Sequence, residues 1–101
     1  MKITLSESST LINAIEIIES SARRIAVVLS TDNKVIGTLT DGDIRRHILN
    51  GGNLNDKSIY AMNKNPVLAK SNTSHKEIKK LLQKHNIRAL PVIGLDNVFL
   101  R

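Results

Sequence analysis

The chain has 101 residues and a mass of 11.2 kDa, room for one or two small hydrophobic cores but not for separate large cofactor and substrate domains. Its 41% apolar content is carried by Ile, Leu, Val and Ala, with one Phe, one Tyr, no Trp and no Cys; disulfide scaffolds, thiol nucleophiles, iron–sulfur centres and cysteine-containing zinc sites are thereby excluded. The net charge of +6 is uneven, because residues 1–50 hold six basic and six acidic groups whereas residues 51–101 hold nine basic and three acidic.

In chain order, Ile3-Thr4-Leu5 is a short extended piece, and Ser6 to Thr10 is a turn that leads into a helix cap. Leu11 to Ser21 places Leu11, Ala14, Ile15, Ile17 and Ile18 at helical spacing, which predicts an amphipathic helix. Arg24 to Leu29 is a nearly continuous apolar run, the pattern of a strand covered on both faces. After the turn residues Ser30 to Lys34, Val35 to Leu39 predicts a second strand antiparallel to it. Thr40-Asp41-Gly42-Asp43 then opens a helix through Leu49, with Thr40 as cap and Asp43 three residues on as a variant capping box. Asn50-Gly51-Gly52-Asn53 stops it, since glycine takes up the left-handed conformation at a helix end. Leu54 to Asn65 is polar and mixed, and is read as a linker with at most a short helical turn near Ile59 to Met62.

From Pro66 the order of elements starts again: an extended piece at Val67-Leu68-Ala69, a capping turn at Ser71 to Ser74, a helix from Glu77 to His85, a strand at Arg88 to Ile93, a turn at Asp96-Asn97, and Val98-Phe99-Leu100 opening a further strand. Shifting residues 1–37 by 64 sets Ile3 on Val67, Ala14 on Ile78, Ile18 on Leu82, Val28 on Val92 and Asp32-Asn33 on Asp96-Asn97 without a gap. Arg101 falls opposite Gly37, where the second copy would need its last strand and helix, so the chain is expected to be a fragment of a longer protein.

The segment Gly37-Thr38-Leu39-Thr40-Asp41-Gly42-Asp43-Ile44-Arg45-Arg46 concentrates free amides, a hydroxyl, carboxylates and guanidinium groups where a strand runs into a helix. Two readings fit it. Amides and the Thr40 hydroxyl can donate to a phosphate while Asp43 accepts from ribose hydroxyls, or Thr40 and Asp43 do no more than cap the helix. His47, His75 and His85 are far apart, with no carboxylates at metal-ligand spacing, and Lys76, Lys79, Lys80 and Lys84 form a basic helix face with His85. The apolar stretches are too short for a membrane span and the N-terminus lacks the layout of a signal peptide, so a cytoplasmic protein is expected.

Gly37, Thr40 and Asp43 match the Gly-x-x-Thr-x-x-Asp signature of the CBS (cystathionine-β-synthase-type) domain, and Arg24-Ile25-Ala26-Val27-Val28 and Arg88-Ala89-Leu90-Pro91-Val92 resemble its central strand. The resemblance covers nearly the whole chain: a first CBS motif over residues 1–53, a linker over 54–64 and an incomplete second motif over 65–101. It implies an α/β (α+β) fold with a β-α-β-β-α unit and a partial second copy. The fuller wording, followed by Met62-Asn63-Lys64-Asn65-Pro66, is most similar to CBS pairs attached to sugar-phosphate nucleotidyltransferases. The resemblance further implies a non-catalytic regulatory module without a resident cofactor or metal, whose regulatory ligand is AMP, ADP, ATP or S-adenosylmethionine. Carried over by position, Asp43 would bind ribose, Thr40 the phosphate or ribose side, and the backbone near Ile3-Thr4 and Ile25-Ala26 would line the base pocket, with Arg45 and Arg46 as phosphate partners. The expected partners are a homodimer mate and an attached or associated catalytic domain. A ligand-free homodimerisation module and a basic nucleic-acid-binding protein, the latter resting on the Lys76 to Lys84 face, are the competing readings.

Overall fold

Residues 3–21 and 23–101 are described by the structure, a computed structural model. The first unit runs β1 (Thr4–Ser6), α1 (Leu11–Ser20), β2 (Ala26–Leu29), β3 (Val35–Leu39) and α2 (Asp41–Leu49); the second contains β4 (Ala69–Lys70), α3 (His75–His85) and β5 (Val92–Ile93). The architecture is α+β, built of two repeats of one unit, of which the second holds β-α-β and a short returning segment.

Polar side chains start the helices where the sequence places them. Thr10 and Thr40 each accept from the backbone N–H three residues on, while the Asn13 and Asp43 side chains accept from the backbone N–H of their caps, giving a full capping box at both positions. Gly51 follows α2 with φ +97°, a conformation that costs a residue without Cβ almost nothing.

Strand β2 is the centre of the molecule. It pairs in parallel with β1 and antiparallel with β3, with a bulge between Val28 and Leu29. Its side chains alternate between two cores. Ala26 and Val28 join Leu5, Leu11, Ala14, Ile18, Leu39 and Ile44 beneath the first unit's helices. Val27 faces the other way and packs with Val35 and Ile93, flanked by Ile3, Leu29, Leu68 and Phe99. One strand buried on both faces thus joins the two units, which explains the unbroken apolar run in the sequence.

The 64-residue register is obeyed at the level of backbone pairing. Leu5 opposes Val28 and Ser6 opposes Leu29 in the first unit; Ala69 opposes Val92 and Lys70 opposes Ile93 in the second. The cap of α3 is Ser74, the register mate of Thr10, and the turn residues Asn33 and Asn97 both have φ 64°. One bond is lost. Val27 N–H donates to Ile3 O at 2.8 Å, but its mate is Pro91, which has no N–H. That is why β4 and β5 are two residues each, shorter than the extended runs predicted at residues 67–69 and 88–93. The predicted returning strand is a set of bridges: Lys34 to Val98 and Ile93 to Phe99, with Phe99 N–H donating to Asn33 O at 3.0 Å.

The segment after α2, expected to be a polar linker, is stitched onto the first unit. Leu11 N–H donates to Asp56 O and Ile12 N–H to Leu54 O, and the fully buried Ser58 gives its hydroxyl to Thr10 O at 3.1 Å. The predicted helical turn is a single 3-10 turn at Ser58–Tyr60. Farther on, Thr38 and Asn63 exchange both backbone hydrogen bonds, at 3.1 and 2.8 Å. A Cβ on Gly37 would run into the Met62 side chain and come 3.0 Å from Asn63 O, so Gly37 is needed for close approach of this segment, not for an unusual φ.

Candidate functional site

A cleft of about 650 Å³ opens where the two units meet. One wall is the end of β3 and the first turn of α2, with Thr38, Thr40, Asp41, Gly42, Asp43 and Arg46. Arg23, Arg24 and Ile25, which enter β2, form a second wall, and the second unit closes the third through Val67 and the stretch Asn86 to Ala89 ahead of β5. Arg24 and Arg88 are register mates, as are Ile25 and Ala89, so the two copies face each other across this cleft.

Local geometry sets the charged groups. The Asp43 carboxylate is mostly covered, its side chain 15% exposed. Its Oδ2 accepts from Thr40 N–H at 2.9 Å and from Thr40 Oγ1 at 3.1 Å, and its Oδ1 accepts from Arg46 Nη2 at 2.8 Å. Asp41 and Gly42 supply first-turn residues of α2, where backbone donors exceed intrahelical acceptors. Arg24 holds a left-handed backbone, φ 57°, sparsely populated for a residue with a Cβ, and its guanidinium lies 3.8 Å from the exposed Glu19 carboxylate. Four guanidinium groups and two carboxylates line the cleft, a surplus of positive charge suited to an anionic ligand.

The eight residues singled out in the sequence divide evenly. Ile25, Thr40, Asp43 and Arg46 line the cleft; Ile3, Thr4, Ala26 and Arg45 are not among its lining residues. Ala26 is fully buried in the first core, Thr4 pairs with Val27 inside the sheet, and Ile3 packs against the second core. Arg45 is exposed on α2 one helical step from Arg46. Residues that sequence reasoning missed are Arg23, Arg24, Val67, Asn63, Asn86 and Arg88. The register held the signal for two lining residues, since Val67 and Ala89 are the second-copy mates of Ile3 and Ile25. The basic face of α3 is elsewhere: Lys76, Lys79, Lys80 and Lys84 are exposed and do not line the cleft. Among the described residues, no group of three or more His, Asp or Glu is placed to hold a metal ion, and no helix is long and apolar enough to cross a membrane.

The CBS domain family matches residues 2–50 and 57–99, one match for each structural unit. The chain belongs to the CBS domain family. Arabinose 5-phosphate isomerase GutQ of Salmonella typhi is 33% identical over 69 residues, which are 68% of this CBS chain and 22% of that protein. The chain therefore spans about a fifth of the length of the curated relatives it matches. The fold is shared with the CBS domain protein PAE2072 from Pyrobaculum aerophilum complexed with AMP, at TM-score 0.83 and 17% identity, covering 98% of this chain and 76% of that one. It is also shared with the cytosolic domain of the Mg2+ channel MgtE in complex with ATP, at TM-score 0.78 and 14% identity, covering 97% and 40%.

Proposed function

We propose that the cleft between the two CBS units binds an adenine nucleotide and that the chain is a non-catalytic regulatory module. The observation that carries this reading is the joining of the Thr40–Asp43 helix start to Arg23, Arg24, Arg46 and Arg88 in one cleft of about 650 Å³. That volume lies within the range of small-molecule sites, roughly 300–1,000 Å³. The division of labour follows from chemistry: Asp43 accepts from ribose hydroxyls, the first-turn amides of α2 and the guanidinium groups hold phosphate, and Ile25, Val67, Ala89 and Pro91 offer apolar surface to the base. No aromatic residue lines the cleft among those described, so the base is held by aliphatic contact and backbone groups rather than by stacking. The AMP and ATP complexes of the two fold relatives support this ligand class.

The module acts on a catalytic domain that handles a sugar phosphate. The sequence of the Gly37 to Arg46 segment favours a nucleotidyltransferase, and the Salmonella relative, by name a sugar-phosphate isomerase, supports the broader substrate class. Association with another copy or with the client domain is a second reading, resting on the individually exposed side chains of Leu49, Leu95 and Tyr60, 77%, 90% and 69% exposed.

Calorimetric titration with AMP, ADP, ATP and S-adenosylmethionine tests the reading. Saturable binding by at least one is expected, and Asp43→Ala should weaken it far more than Lys79→Ala. Absence of binding by all four overturns it.

A further inference from the structure

Asp43 has little acceptor capacity to spare. A carboxylate offers about four lone-pair positions, and three are taken, two by Thr40 and one by Arg46. A ribose presents two neighbouring hydroxyls, so a diol cannot be accepted in full while all three bonds stand. The bonds to Thr40 are part of the capping box that starts α2. The bond to Arg46 is the exchangeable one: its side chain is 68% exposed, and it joins residues one helical turn apart on the cleft face. Gly42 gives the guanidinium its seat. A Cβ there would come 3.3 Å from Arg46 Nη1, so the missing side chain lets Arg46 lie back across the first turn toward Asp43.

Resting on the nucleotide reading of this cleft, we infer that Arg46 is a latch on Asp43 that makes the site select nucleotides over nucleosides. A ribose displaces the guanidinium from the carboxylate, and a phosphate on the same ligand takes the guanidinium up. Planar guanidinium binds phosphate and carboxylate with the same paired donors, so a nucleotide exchanges one ion pair for another. A nucleoside breaks the pair and returns nothing. The released Arg46 stays beside the amino-terminal end of α2, where first-turn amides favour the same anion.

Titrating AMP and adenosine against wild type and Arg46→Gln, with circular dichroism confirming equal folding, tests the latch. AMP affinity should fall, by the roughly tenfold or more of a lost hydrogen bond to a charged group less the about two- to fivefold regained because the pair with Asp43 no longer has to be broken. Adenosine affinity should rise by about two- to fivefold, the strength of an exposed ion pair that no longer has to be broken. The rise for adenosine is the deciding readout. If Arg46 only contacted phosphate, adenosine would be unaffected; if Arg46 only positioned Asp43, both ligands would weaken; either result overturns the latch while leaving the nucleotide reading intact. Failure of the wild type to bind adenosine or any of AMP, ADP, ATP and S-adenosylmethionine overturns both.

Discussion

The two CBS units share a register but not a depth of burial. In the first, Leu11, Ala14 and Ile18 of α1 are sealed under β1, β2 and α2, each with no exposed surface. In the second, none of the described residues of α3 is fully buried; Ile78 and Leu82, the register mates of Ala14 and Ile18, are half-covered, and the mate of Leu11 is the exposed His75. The outer face differs as well, since Ile12 and Ile15 of α1 correspond to Lys76 and Lys79 of α3. A shared pattern of apolar positions therefore specifies the path of the backbone, while the depth of burial depends on what is laid over it. The cleft lies on the seam between the well-covered unit and the poorly covered one.

The sharpest way to break this comparison is to truncate register mates. Ile18→Ala, in a site with no exposed surface, should cost about 2–5 kcal/mol in urea unfolding. Leu82→Ala should cost about 1–2 kcal/mol, because the half-covered side chain has less apolar area to lose. Equal losses would mean that α3 is covered in solution, and the difference should then reappear on dilution if the cover is a second copy.

Next in size is Gly37→Ala. The added methyl meets the Met62 side chain and the Asn63 carbonyl, whose backbone is bonded on both sides to Thr38. Overpacking of this kind costs about 1–3 kcal/mol. It should also loosen the Asn63 side of the cleft, so nucleotide affinity should fall together with stability. A stability loss with unchanged affinity would show that the segment after α2 supports the first unit only.

Much of this molecule is legible along the chain because its signals are local. Thr40 is read as a cap from the carboxylate three residues on, the turn ending at Thr10 is read as leading into a cap, and β2 is read as doubly buried from its unbroken apolar run. The lateral repeat is equally clear in the spacing of Ile3, Val28 and Asn33 against Val67, Val92 and Asn97. What escapes is set by contacts between distant segments. Nothing near Asn63 announces that it will pair with Thr38, and nothing near Arg23 or Arg88 announces that both will face Thr40. Arg45 and Arg46 are adjacent in sequence and carry the same expectation, yet a helix turns 100° per residue, and only Arg46 stands one turn from Asp43. Helical geometry applied to that pair separates them without a structure.

A smaller effect concerns the loop that follows α2 in the first unit. Asp56 accepts from Asn53 N–H at 3.0 Å and bonds the His47 ring at 2.8 Å, while its own carbonyl takes the Leu11 amide. The Asn53 amide first, and the His47 hydrogen bond second, hold the carboxyl below the ordinary aspartate range. A carboxyl with a depressed folded-state pKa contributes stability above its unfolded value and loses it as the pH falls through the folded value. Asp56→Asn should therefore be less stable than wild type near neutral pH, and the gap should close as the pH drops below about 4. No gap at neutral pH would assign the loop's stability to backbone bonds alone, and a gap that persists in acid would assign it to the side-chain hydrogen bonds instead of the charge.

The smallest expected change in stability comes from making the two sheets alike. Pro91→Val gives the second copy the residue that Val27 is in the first and restores a donor that can reach Val67 O, as Val27 N–H reaches Ile3 O. One further backbone bond contributes about 0.5–1.5 kcal/mol. Losing proline restores freedom to the unfolded chain and costs about 0.4–1 kcal/mol, and it also frees Leu90 from the extended backbone that a following proline imposes. The two nearly cancel, so unfolding midpoints should move little. Hydrogen exchange separates them: the new amide at position 91 should be protected, and Ala69 N–H, which donates to Pro91 O, should exchange more slowly than in wild type. Rapid exchange at position 91 would show that β4 and β5 are held short by the seam with the first unit, not by the missing N–H, and the difference between the two sheets would then belong to packing instead of to proline.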